Sequence, residues 1–168
     1  FKNYVLLKKS NKEIIEKLNN DGYYDNLQLK KHSVNRIISS IKKKRIFFTD
    51  KTGTYYGTLK KPIYLKKQKI QVSIGFIEKV KEIPEINKIS KDKRIIEIFY
   101  GYFGYYPKTI NPLIFVNYPV KLIEIDRIKF EATRYHFDME SPNSLYLNFY
   151  LCDVDNFNAP HALIKKTH

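Results

Sequence analysis

Two sets of residues in this chain could do chemistry with an anionic partner. In "SVNRIISSIKKK", residues 33–44, Asn35, Arg36, Ser39 and Ser40 recur at a spacing that puts them on one side of a helix. Asn and Arg can make paired hydrogen bonds to base edges, and serine hydroxyls donate and accept beside them. The second set is cationic. Lys42, Lys43 and Lys44 close the same stretch, and "LKKPIYLKKQK", residues 59–69, adds Lys60, Lys61, Lys66 and Lys67. Lysines in runs neutralise phosphates without reading sequence, so Asn35 and Arg36 are the expected readers and the lysines the expected grip. Each run also has a purely structural use. Basic residues in a last helical turn suit the helix dipole, and paired lysines on a strand edge block edge-to-edge association.

Other chemistries find little support. His32, His136, His161 and His168 have no metal-ligand spacing. Cys152 is the only cysteine, so no internal disulfide can form, and a lone cysteine on a strand usually packs in a core. "YYGTLKK" lacks the glycines and the terminal Lys-Ser/Thr of a phosphate-binding loop. Glu97, Glu124, Asp126 and Glu131, with Lys129, have the ingredients of a metal-dependent nuclease but not the usual order. A half-exposed strand alternating charged and apolar residues explains them more simply. No catalytic residue, cofactor or metal is expected.

The charge balance points the same way as the lysine runs. The formal net charge is +14 over 168 residues. Residues 1–69 hold 18 Lys+Arg against 5 Asp+Glu, a net of +13, and residues 70–168 hold 13 against 12, a net of +1. An excess of this size repels itself unless a polyanion is the usual partner. Lys, Ile, Asn and Tyr share AT-rich codons, so genome composition supplies part of the excess, but it does not explain the split. No apolar run is long enough to span a membrane and no signal-peptide pattern is present, so a cytoplasmic protein without membrane contact is expected. The chain begins at Phe1 rather than Met, and a preceding segment is expected.

The elements that must position these residues follow from periodicity. Residues 10–20 read as a helix, with Ser10 and Glu13 at capping-box spacing, Ile14, Ile15 and Leu18 on one face, and Gly22 in the left-handed position after it. Residues 33–44 read as a second helix with Val34, Ile37, Ile38 and Ile41 inward and Ser33 as its cap. At most a short extra helix is expected at 27–31. Residues 45–59 read as a β-hairpin turning at Gly53. Helix, linker, helix with a basic face and hairpin is the order of a winged helix-turn-helix. Further strands are expected at 70–77, 95–102, 113–116, 120–125, 129–137 and 145–152, with a charged connector or short helix broken at Pro84 over 78–93. In "IIEIFYGYFGYYP", residues 95–107, alternation puts Ile96, Ile98, Tyr100 and Tyr102 on one face and Glu97, Phe99 and Gly101 on the other. Rings on both faces favour a strand covered on both sides. A base-stacking platform of Tyr100, Tyr102, Tyr105 and Tyr106 is the alternative, disfavoured by the near-neutral charge of this half. The expected architecture is α+β, with a winged-helix-like head at 1–69 and an antiparallel β-rich domain at 70–168.

"RIFFT" at 45–49, "YYG" at 55–57 and "EIFYGY" at 97–102 carry a resemblance. Their order and spacing are similar to landmarks of a protein family encoded in the plasmid partition loci of Borrelia spirochaetes. The charged "KDKR" at 91–94 precedes the last landmark as it does in that family. The resemblance covers roughly residues 45–152, and "FGYYPKTINP" stands where the family usually has a basic-proline segment, which suggests a divergent member. It implies a role in replicon maintenance alongside a ParA-type ATPase and supplies no catalytic residues. The expectation is a non-enzymatic binder of duplex DNA whose β-rich part forms a homodimer or docks the ATPase. An RNA-binding or ribosome-associated protein, and a pure protein-interaction module, are the other classes the residues allow.

Overall fold

The computed structural model of the chain describes residues 11–61, 63–65, 70–118, 144–155 and 161–166. The architecture is α+β. Its described residues group into two compact units, one drawn from Phe1–Lys31, Lys91–Thr109 and Ile123–His168, the other from His32–Ser90 and Ile110–Leu122.

The first unit is built on two helices. Helix α1, Asn11–Asp21, turns its Ile14 and Leu18 inward, and Gly22 follows with φ 82°, its N–H donating to Leu18 O at 3.0 Å. The expected Ser10 cap lies outside the described residues. Residues 95–102, expected as a strand, are instead the body of a helix, here α4, Lys93–Phe103. Asp92 caps it, its Oδ1 accepting from Arg94 N at 2.9 Å, and Gly104 ends it at φ 76° with its N–H on Tyr100 O at 2.8 Å. The β preference of Ile, Phe and Tyr is worth at most about 1 kcal/mol per residue. Burying one large apolar side chain is worth about 1.5–3 kcal/mol, so packing decides. Ile98 is buried with Ile14 and Leu18, and Tyr24, Leu27, Tyr102 and Leu145 pack around them.

Residues 145–152 form no strand either. They keep strand-like alternation, with Leu145, Leu147 and Phe149 half-buried and Tyr146 and Tyr150 exposed, but hold no ladder. The short helix considered at 27–31 does not form, beyond Lys31 itself opening the next helix.

The second unit holds a four-stranded antiparallel sheet. In chain order come α2 (Lys31–Ile41), β1 (Ile46–Asp50), β2 (Gly53–Gly57), β3 (Tyr64–Leu65), β4 (Ile70–Gln71), β5 (Ile74–Ile77), α3 (Pro84–Ser90) and, after α4, β6 (Phe115–Asn117). The sheet order is β2-β1-β5-β6, and β3 pairs with β4 as a separate ribbon. The hairpin therefore lies beside strands from beyond residue 70. Ile46 pairs with Gly57 on one side and with Ile77 on the other. Ile37, Ile46, Ile63 and Ile83 are almost fully buried.

Several local expectations shift here. Helix α2 starts two residues before Ser33, which is 1% exposed inside the helix and is not its cap. It also ends at Ile41, because Lys43 N and Lys44 N bond to Ser40 O and Ile41 O three residues back and the chain winds out. The 70–77 strand divides at Val72 and Ser73, and Pro84 opens α3 rather than breaking a helix, since a first-turn residue needs no N–H. Candidate strands 120–125 and 129–137 lie outside the described residues. Helix α1 packs on α4, and α2 belongs to the unit of the sheet. No helix among the described residues is long and apolar enough to cross a membrane.

Candidate nucleic-acid interface

The outward side of α2 carries the four expected base-contacting residues together. Asn35, Arg36, Ser39 and Ser40 line an open recess of about 400 Å³, closed on its other side by Pro84, Glu85 and Lys88 of α3. They face out because Ser33, Ile37 and Ile41, four residues apart, take the buried side. Ser40 Oγ donates to Arg36 O at 2.9 Å, so that hydroxyl is turned back onto its own helix.

Arg36 has a fixed partner that its sequence position does not reveal. Its Nη1 donates to Glu85 Oε1 at 2.9 Å, and Lys88 Nζ donates to the same oxygen at 3.3 Å. The Glu85 side chain is 6% exposed, whereas that of Arg36 is 66% exposed. Burial is the largest single influence on the Glu85 carboxyl and pushes it up. The hydrogen bonds from Arg36 and Lys88, with their charges, together outweigh it and hold the group below the ordinary carboxylate range.

Lys42–Lys44 and Lys60–Lys61 flank the same end of the sheet. Lys42, Lys43 and Lys44 lead into β1, and β1 begins opposite the end of β2, where Ile46 pairs with Gly57. The chain leaves β2 in a tight turn over 58–61, with Thr58 N donating to Lys61 O at 3.0 Å and Lys61 N to Thr58 O at 3.1 Å. Tyr118 Oη donates to Thr58 O at 3.1 Å and ties this turn to the chain after β6. Register alone thus brings Lys60 and Lys61 to the end where α2 delivers its lysines.

Acids at that end neutralise some of the cations and not others. Glu82 Oε2 accepts from Lys44 Nζ at 3.0 Å. Glu78 takes Arg45 in a two-pronged pair, Nε to Oε2 at 2.9 Å and Nη2 to Oε1 at 3.0 Å, and the guanidinium lies 4.6 Å from the centre of the Tyr56 ring. Lys42, Lys43, Lys60 and Lys61 are exposed and have no acidic partner among the described residues. Lys66 and Lys67 lie outside the described residues.

Glu78, Glu82, Glu85 and Lys88 were not among the expected site residues. The signal for them is faint, a charged segment at 78–93 whose acids have no visible target until α2 and β1 are placed. Of the nuclease-like carboxylates, Glu97 sits on α4, accepting from Asn11 Nδ2 at 2.9 Å and pairing with Lys93 at 3.6 Å. Glu124, Asp126 and Glu131, with Lys129, lie outside the described residues. Compared with known proteins, the chain matches no family model, no curated protein and no solved structure.

Proposed function

We propose that this protein is a non-enzymatic binder of duplex DNA that serves replicon maintenance, with Lys42, Lys43, Lys60 and Lys61 as its phosphate contacts. One observation carries this reading: the pairing of Ile46 with Gly57 gathers two lysine runs, eighteen residues apart in sequence at Lys42 and Lys60, at one sheet end. Four exposed ammonium groups without acids beside them among the described residues suit a partner that brings its own negative charge. Asn35, Ser39 and Arg36 are the proposed base contacts. Arg36 can serve while still holding Glu85, because the bond to Glu85 uses one of its five N–H groups. Of a winged helix, α2 and the hairpin are the parts proposed to act. The maintenance role and a ParA-type ATPase partner rest on the resemblance of the "RIFFT", "YYG" and "EIFYGY" landmarks.

The test is a competition. Labelled duplex DNA bound to the full chain is displaced by unlabelled duplex DNA or by structured RNA of the same length, near physiological salt. Duplex DNA is expected to displace at lower concentration. Stronger displacement by RNA would favour an A-form partner, and no binding of either would remove polyanion binding altogether.

A further inference from the structure

The helical form of residues 95–103 changes what their rings can do. In a covered strand they would be core. On α4 and the turn after it, Tyr100, Tyr105 and Tyr106 are 45%, 50% and 67% exposed. Gly104, at φ 76°, folds the chain back at the helix end. That reversal lays Tyr106 on Tyr100, ring centres 4.6 Å apart and 29° between planes, and Tyr105 on Phe103, 5.5 Å apart and 22° between planes. Tyr102 meets Phe103 edge-on at 5.0 Å, and Phe99 lies 6.4 Å from Phe103. Each stacked pair uses one face of each ring, and the exposed tyrosines offer further ring surface to solvent. Rings fixed by their neighbours lose little freedom when a ligand stacks on them.

Charge and ring chemistry select the ligand. Lys108 is exposed two residues beyond Tyr106, and Lys91 is exposed at the other end of α4, whereas Asp92 is buried at the helix cap and Glu97 is taken by Lys93 and Asn11. The free charge among these described residues is positive. A second copy of the chain would bring another +14 against it. The most exposed rings are tyrosines, which tolerate water on one edge and offer a flat face on the other. Flat faces followed two residues on by the exposed ammonium of Lys108 match unpaired bases on a phosphate backbone.

We infer that Tyr100, Tyr105 and Tyr106 form a stacking site for single-stranded DNA, separate from the lysine site proposed for the duplex. The choice of DNA over RNA rests on the proposed function above; the stacking chemistry does not. Such a site would let the protein hold a locally melted strand.

The test uses fluorescently labelled dT20, rU20 and a 20-base-pair duplex with the full chain. Removing one stacking ring weakens single-strand binding by about tenfold or more. Tyr100→Leu and Tyr106→Leu are therefore each expected to weaken dT20 binding by about that factor, with duplex binding unchanged, and Tyr106→Phe to keep it. Replacing Lys42, Lys43, Lys60 and Lys61 by Ala is expected to weaken the duplex more than dT20, which separates failure of one site from failure of the other. Unchanged dT20 binding by both Leu variants would overturn the proposal. So would a change of sedimentation coefficient in the Leu variants, which marks a self-association surface, or tighter ring-dependent binding of rU20 than of dT20.

Discussion

Arg36 on α2 donates to the buried carboxylate of Glu85 on α3 at 2.9 Å, across 49 residues of sequence. A residue whose place in the sequence suggests only a ligand contact is thus also a structural tie. Removing it leaves Glu85 with Lys88 as its sole cationic partner among the described residues. A hydrogen bond to a charged group contributes about 1.5–3 kcal/mol, reduced here because the guanidinium is two-thirds exposed. Arg36→Ala is expected to cost about 1 kcal/mol of stability by urea denaturation. An unchanged midpoint would mean that the tie contributes nothing.

The same pair sets a pH dependence. The folded Glu85 carboxyl is held below its ordinary value of 4.5, so its contribution is present in full above that value. It is lost as pH falls through the lower folded value, where the carboxyl protonates. Thermal midpoints of the wild type should exceed those of Glu85→Gln at neutral pH, and the gap should close below about pH 4.5. A gap that persists unchanged into acid would assign the difference to shape rather than charge.

Ser33 is a local cost within α2. Its Oγ is buried with no hydrogen-bond partner among the described residues, and the residue is 1% exposed. Ala removes the stranded hydroxyl and is the better helix former. Ser33→Ala is expected to stabilise the fold by about 0.5–1 kcal/mol, measured by denaturation. A loss of stability would show that the hydroxyl has a partner in solution.

Gly57 holds the turn that carries Lys60 and Lys61. A Cβ there would stand 2.6 Å from Lys61 O and 2.9 Å from Ile63 Cγ1. The first obstacle is backbone, so the turn itself would have to move. Gly57→Ala is expected to cost about 1–3 kcal/mol and to weaken duplex binding by displacing both lysines. Full duplex affinity in this variant would mean that the position of the turn does not matter.

Legibility in the sequence followed the range of the interaction. The inward stripe of α2 and the hairpin depend on neighbours within a few residues, and both stood close to where periodicity put them. Helix α4 was also written locally, in Asp92, the Ile95, Ile98 and Tyr102 spacing, and Gly104. Ring content and two glycines masked that spacing, since Phe, Tyr and Ile favour strands and glycine disfavours helix interiors. What no local pattern encodes is partnership at a distance. The pairing of Phe76 with Phe115, the tie of Arg36 to Glu85 and the capture of Lys44 by Glu82 appear only when the chain is folded. The grip residues were legible by type, whereas which lysines stay unpaired depended on where the acids of 78–85 landed.

The most direct measurement is the salt dependence of duplex binding by the full chain and by the variant with Lys42, Lys43, Lys60 and Lys61 replaced by Ala. Removing one lysine–phosphate pair lowers the slope of log K against log salt by about 0.9, so a fall of roughly three to four is predicted, together with weaker binding to every sequence. An unchanged slope would contradict the account and place the DNA-facing surface elsewhere.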